Sequence, residues 1–293
     1  MFNADQVHSL GFSQAVAALR GALTAGLDPE REPPRIPMNT GTGEILVMPS
    51  ADRKTAGVKL VTIAPGNPSR GLPRIHGVYV LFDAETLVPR AVLDGAALTA
   101  LRTPAVSALG VDLVAPPGAH RLVVFGTGPQ ARGHVAALRA TRSIDSVRIV
   151  GRDPAKTAAF AESLHATAAD ASAVAEADIV VCCTTARQPL FSGSLLAPEA
   201  VVVAVGSHEP EAREVDAETV SRGGVLVESR AAALREAGDV IQAIEAGVID
   251  DGALVTYADL VRDSVPTRPR LIKTVGMGWE DLVIATAVVE AAA

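Results

Sequence analysis

Apolar positions fall into two textures along the chain. Residues 13–25 place Val16, Leu19 and Leu23 at helical spacing, so this segment predicts an amphipathic helix. Pro29, Pro33, Pro34 and Pro37 follow, and a segment so rich in proline is not expected to be helical. Short β-like runs come next at 44–48, 57–63 and 77–83, with a weaker one at 89–93. Turn-rich stretches such as Ala64-Pro65-Gly66-Asn67-Pro68 separate them, so a small, mostly antiparallel sheet is predicted. Thr103-Pro104 reads as an N-cap and first-turn pair opening a helix to about 113.

Ala115-Pro116-Pro117-Gly118 is the sharpest break in the chain and divides residues 1–115 from 116–275. Beyond it, apolar runs at 121–125, 146–150, 178–183, 200–205 and 224–227 alternate with helical segments. That alternation is the signature of βαβ units around a buried parallel sheet. The pattern ends around 268–275. The last segment, 279–291, places Leu282, Ala285, Thr286 and Val289 at helical spacing. The expected fold class is therefore α/β, with an α+β N-terminal domain before a parallel-sheet domain.

Composition narrows the function. Of 293 residues, 48% are apolar, enough for real cores and against disorder. The net charge of −7 argues against nucleic acid or an anionic membrane as a partner. Six Phe, two Tyr and one Trp leave little for stacking bases. Cys182 and Cys183 are adjacent in the apolar run 179–183. They cannot staple distant segments and read as buried strand thiols. The first residues lack a basic region followed by an apolar stretch, and no apolar run approaches the roughly 18 residues needed to span a bilayer. A cytoplasmic protein is expected. Histidines 8, 76, 120, 134, 165 and 208 show no metal-ligand spacing.

The strongest motif is Gly126-Thr127-Gly128-Pro129-Gln130-Ala131. It follows the strand-like run 121–125 and opens the helix-like segment 129–141, which is the context a dinucleotide fingerprint requires. Gly126 permits the tight turn, Gly128 lets the backbone approach a pyrophosphate, and Ala131 allows close helix–strand packing. A helix N-terminus then offers its unpaired N–H groups to phosphate. Residues 116–275 are thus expected to form a Rossmann dinucleotide-binding domain. The second strand, 147–150, ends in Gly151-Arg152-Asp153-Pro154. Gly151 stands where NAD sites carry a carboxylate for the ribose, and Arg152 suits the 2′-phosphate of NADP(H). NADP(H) is favoured, with NAD(H) possible. Asp153 is read as the cap before Pro154 rather than as that carboxylate.

Three cations in the first domain are ambiguous from the residues alone. Lys59 sits in Gly57-Val58-Lys59-Leu60-Val61 and either snorkels to the sheet edge or points into a site. Arg102, read at a helix start, and Arg35, in the Pro-rich segment, are equally open.

From Pro34 to Ala287 the chain resembles the ornithine cyclodeaminase/mu-crystallin family of NAD(P)-dependent proteins. The markers are Met48-Pro49, Gly57-Val58-Lys59-Leu60-Val61, Ala100-Leu101-Arg102-Thr103-Pro104-Ala105, the glycine loop, Ala204-Val205-Gly206, Lys273 to Gly278, and Glu280-Asp281. The resemblance implies an N-terminal substrate and dimerisation domain that the last helix, 276–293, rejoins. It implies a homodimer, and a small carboxylate substrate held by residues matching Arg35, Lys59 and Arg102. Around the cofactor it adds Thr184, Val205, Gly206 and Gly276.

The departures matter as much. Family cyclodeaminases carry a Glu two residues before Met-Pro, where this chain has Leu46, and an Asp where it has His208. Glu44 and Glu209 lie nearby. The leading expectation is NADPH-dependent reduction of a small carboxylate-bearing imine, such as pyrroline- or piperideine-2-carboxylate, or of a 2-oxo acid. Lys59 and His208 are the expected catalytic residues, His208 as proton donor or else as a polar loop residue. Alternatives are a cyclodeaminase, an alanine-type dehydrogenase, or a non-catalytic NADPH-dependent binding protein. Trp279 either walls the site or packs in the core.

Overall fold

The computed structural model describes residues 1–118, 120–262 and 268–292. Its chain forms two compact units, Met1–Val106 with Gly276–Ala293, and Ser107–Val275.

In the first unit five antiparallel strands run in chain order: β1 Ile36–Asn39, β2 Glu44–Ala51, β3 Thr55–Ile63, β4 Ile75–Asp83 and β5 Pro89–Asp94. Met48 pairs with Lys59, Lys59 with Tyr79, and Tyr79 with Leu93. Because alternate residues share a face, Leu46, Met48, Val61, Leu81 and Lys59 lie on that same side, and all are buried. The C-terminal helix Gly278–Ala291 lies against β2, β3 and β4 and against the helix Gly11–Thr24.

In the second unit eight parallel strands are β6 His120–Phe125, β7 Ile144–Val150, β8 Thr167–Ala169, β9 Ile179–Cys182, β10 Val201–Ala204, β11 Val225–Val227, β12 Leu254–Thr256 and β13 Leu271–Lys273. Their spatial order is β12-β11-β13-β10-β9-β6-β7-β8. The strands alternate direction of growth at β6: the chain runs outward through β7 and β8, then crosses to β9 on the other side. Ligands of such sheets bind at the carboxyl ends of the strands beside this switch point.

Two expectations need correction. The helix 103–113 is Gly95–Val114, and Pro104 lies inside it. Asp94 is the start signal: its Oδ1 accepts from the N–H groups of Ala96 and Ala97, both at 2.9 Å. At 20 residues this helix is by length and mean hydropathy long and apolar enough to cross a bilayer, but it is interrupted by Arg102 and Asp112 and most of it is buried within the protein. The alternating pattern ends within 268–275, as expected, on the last strand β13, which sits between β10 and β11. Three residues ending in a lysine are too few to show a period. In the Pro-rich segment, Pro29–Arg31 makes one 3-10 turn capped by Asp28, and Ile36–Asn39 adds an edge strand.

Candidate active site

The three ambiguous cations converge within the first unit. Lys59 does not snorkel: it is 1% exposed, and its Nζ lies 2.9 Å from Oδ1 and 2.7 Å from Oδ2 of Asp281. The Thr99 hydroxyl accepts from it at 3.3 Å. Arg102, mid-helix rather than at a helix start, donates from Nη1 to Glu280 Oε2 at 2.6 Å, and its Nε lies 3.4 Å from Asp281 Oδ1. Arg35 donates from Nη2 to the Gly276 carbonyl at 2.7 Å. Gly276 has φ +81°, and a Cβ there would meet the Arg102 guanidinium at 2.6 Å. Gly276, expected beside the cofactor, thus seats two of the cations. Gly278 lets the last helix approach the sheet, since a Cβ would fall 2.6 Å from the Pro49 carbonyl.

Sequence reasoning used Glu280 and Asp281 only as family markers. Locally they look like ordinary acids in the first turn of a helix. Both are 0% exposed, and their role appears only with their partners. Three cations thus stand close to the carboxylates of Glu280 and Asp281. Glu32 is a further acid missed by the sequence reading. Its Oε1 accepts from Ser50 at 3.0 Å, and burial, reinforced by the nearby Asp281, pushes its pKa up to about 7. Burial acts oppositely on Lys59, lowering it to about 8 despite the attraction of Asp281. Tyr79, in the same neighbourhood, is pushed up by burial and by Asp281.

Beside Lys59 the wall is apolar. Leu46, Met48 and Val61 pack together at 4–6% exposure. Glu44 is half-buried at the strand start, and Glu209 is exposed and paired with Arg187 at 2.6 Å. Trp279 is fully buried.

In the second unit the expected cofactor residues gather at the carboxyl ends of β6, β7, β9 and β10. Gly126 has φ +119°, and a Cβ there would fall 2.7 Å from the Cys183 carbonyl. Gly128 is the N-cap of helix Pro129–Thr141, makes no side-chain cap, and has open space where a Cβ would stand. Pro129 at the first position sacrifices no helical hydrogen bond. Ala131 is fully buried, Thr127 is exposed, and Gln130 carries a buried Oε1 with no partner. An uncapped helix end behind a glycine turn, with its N–H donors unpaired by any side-chain cap, fits a dinucleotide pyrophosphate.

At the tip of β7, a Cβ on Gly151 would meet Thr157 Oγ1 at 2.3 Å, so a side chain there would require Thr157 to shift. Asp153 is the cap, its Oδ1 accepting from Lys156 N–H at 3.0 Å, and Arg152 is exposed. Thr184, Val205 and Gly206 follow β9 and β10. His208 is half-buried in the turn after β10, anchored through Ser207, whose carbonyl accepts from Lys273 at 2.7 Å. His208 and Lys59 belong to different units.

His134, by contrast, is a core residue. It is fully buried, bonded to Gln130 O at 2.8 Å and Ser107 Oγ at 2.9 Å, and burial lowers its pKa to about 4. Cys182 closes β9 and Cys183 follows it; burial raises both thiols. Among the described residues no three His, Cys, Asp or Glu side chains are placed to hold a metal.

Comparison with known proteins agrees with this geometry. The chain is 36% identical over 249 residues to a Delta(1)-pyrroline-2-carboxylate reductase of Burkholderia ambifaria, covering 83% of this chain and 78% of that one. It is 35% identical over 291 residues to the Delta(1)-pyrroline-2-carboxylate/Delta(1)-piperideine-2-carboxylate reductase of Azospirillum brasilense, covering 95% and 91%. The structure of Thermococcus litoralis Delta(1)-pyrroline-2-carboxylate reductase, in complex with NADH and L-proline, superposes with a TM-score of 0.90. That pair is 28% identical, with 99% of this chain and 96% of the other covered.

Fold and site together define an NAD(P)-dependent oxidoreductase of the imine reductase and amino acid dehydrogenase kind. The chain belongs to the ornithine cyclodeaminase/mu-crystallin family, whose sequence profile matches residues 4–293.

Proposed function

We propose that this protein reduces a small cyclic imine bearing a carboxylate, of the pyrroline- or piperideine-2-carboxylate type, with NADPH. The observation that carries this is the buried cluster of Arg35, Lys59 and Arg102 against Glu280 and Asp281. Three cationic side chains brought to one place suit a substrate carboxylate.

Arg35 and Arg102 offer planar donor forks, and Lys59 a point charge, each charge-assisted bond contributing roughly 1.5–3 kcal/mol. Bound NADPH supplies the hydride that reduces the carbon next to the carboxylate. The ring nitrogen then needs one proton, and His208 gives it. The apolar Leu46–Met48–Val61 wall suits the unsubstituted methylenes of such a ring.

Lys59 titrates low for a lysine, at about 8. It is charged below that pH and neutral above it. Carboxylate binding therefore weakens as pH rises, and kcat/KM is expected to fall on the alkaline side with an apparent pKa near 8. Lys59→Arg keeps its charge and should move that limb upward by at least about two units. An unchanged profile in the variant would assign the limb to another group.

The NADPH preference rests on Gly151 and Arg152. Arg152→Ala should weaken NADPH binding by about 1.5–3 kcal/mol and leave NADH nearly unchanged. Titration of both cofactors checks this, and a wild type preferring NADH tenfold or more would contradict it.

Homodimerisation through the first unit is part of the proposal. The sheet face opposite Lys59 carries Ile45, Val47, Val58, Val78, Val80 and Phe82, all partly exposed, with Leu60 at 39%. A contiguous apolar sheet face of this kind is unusual on a monomer and suits a two-fold partner. Light scattering should give twice the chain mass of 30.1 kDa, and Leu60→Glu should shift it toward monomer. A wild-type monomer at micromolar concentration would overturn this.

A further inference from the structure

The second unit holds another buried ion cluster that the proposed chemistry does not use. Glu214 is 0% exposed. Its Oε1 accepts from the backbone N–H of Thr184 at 2.7 Å and from the Thr184 hydroxyl at 2.6 Å. Its Oε2 accepts from the N–H of Gly206 at 2.7 Å. One carboxylate thus ties the loop after β9 to the loop after β10. The space between them is closed to anything else: a Cβ on Gly206 would lie 2.0 Å from the Thr184 carbonyl and 2.5 Å from Glu214 Oε1.

Glu214 is itself held. Asp239 Oδ1 accepts from the backbone N–H groups of Glu214 and Val215 at 2.7 and 3.0 Å. Lys273 pairs with Asp239 Oδ2 at 3.0 Å and donates to the Ser207 carbonyl at 2.7 Å. Burial raises the Glu214 pKa, while Lys273 and the three donors oppose that shift. A buried carboxyl this costly to charge can be replaced by apolar packing unless its geometry is needed. Here it fixes two loop backbones that have no strand bonds of their own at these positions.

We propose that Glu214 is the positioning residue of the cofactor site, setting the Thr184 and Gly206 loops in one mutual register with Asp239 and Lys273 as its support. This rests on the assignment of those loops to the dinucleotide. Glutamine at 214 keeps one acceptor oxygen and turns an NH2 group against an N–H donor. One loop is released, while the substrate cluster in the first unit keeps all its bonds.

The test is NADPH binding by calorimetry together with steady-state kinetics on the intact protein. Glu214→Gln is expected to raise the NADPH dissociation constant about tenfold or more. KM for pyrroline-2-carboxylate at saturating NADPH should change less than threefold. A general loss of structure would move both alike, and that result would overturn the proposal. Should Glu214→Gln fail to fold, Thr184→Val removes the hydroxyl that donates to Glu214 and accepts from the Ala186 N–H, and about fivefold weaker NADPH binding is expected. Glu209→Gln, at the exposed pair with Arg187, is the control and should bind NADPH as wild type does. NADPH affinity within twofold of wild type in both Glu214→Gln and Thr184→Val would refute the positioning role. A wild type that binds neither NADPH nor NADH would instead overturn the dinucleotide assignment beneath it.

Discussion

Lys59→Met is expected to lower kcat/KM for a cyclic imino-carboxylate at least tenfold and to destabilise the protein by about 3–5 kcal/mol. Two effects combine. The substrate loses a charge-assisted bond, which alone removes at least about 1.4 kcal/mol of transition-state stabilisation. Asp281, 0% exposed, loses the ammonium 2.7 Å away and keeps only the Arg102 Nε at 3.4 Å. A buried carboxylate left short of partners is costly, and that cost appears in stability rather than in turnover. The double variant Lys59→Met/Asp281→Leu separates the two: most of the lost stability should return, and activity should not. Denaturant melts and initial rates measure each part. NADPH affinity should barely change in the single variant, and its collapse in a folded protein would misassign Lys59.

Conversion of ornithine to proline is expected to be negligible, well below about 1 s⁻¹, the low end of ordinary turnover. Ornithine brings a second ammonium, and the position where family cyclodeaminases carry a Glu holds Leu46, packed at 4% exposure against Met48 and Val61. An unpaired ammonium against that wall costs several kcal/mol. A cyclic imine has no distal amine and avoids the cost. His208 stands where the family's Asp would, and a cationic His repels an ammonium that an Asp would attract. Ammonia and proline assays with ornithine and either oxidised cofactor check this. Turnover near or above about 1 s⁻¹ would implicate Glu44 or another carboxylate.

What could be read from the chain follows from how local each signal is. Strand runs such as 57–63 and 121–125 announce themselves because a sheet buries alternate or consecutive residues. Gly126 is legible because its turn, at φ +119°, needs a backbone only glycine adopts without strain, and Gly128 because the motif keeps the helix start clear of a side chain. Asp153-Pro154 reads correctly as a cap because all its partners lie within one turn. Thr103-Pro104 has the same local form and misleads, since Asp94 had already started that helix two turns earlier.

Lys59 could not be resolved alone, because its partner Asp281 lies 222 residues away. The resemblance pointed to it correctly as something other than a surface cation, without giving its counter-ion. Gly276 and Gly278 were recognisable only as family markers. Their physical reason, the Arg102 guanidinium above one and the Pro49 carbonyl beside the other, exists only in the fold. Glu214, Asp239 and Glu32 left no sequence signal, because a lone acid among polar neighbours looks the same whether it is solvated or buried.

The most direct test is the oxidation of NADPH by wild-type protein, followed by absorbance, with Delta(1)-pyrroline-2-carboxylate and Delta(1)-piperideine-2-carboxylate. Saturable turnover is predicted with at least one of them, yielding proline or pipecolate in step with NADPH consumed. Arg102→Ala should raise KM and cut kcat/KM about tenfold or more. Tight NADPH binding with no turnover of either imine would contradict the account and leave a binding protein, while turnover untouched by Arg102→Ala would remove the cation cluster from the site.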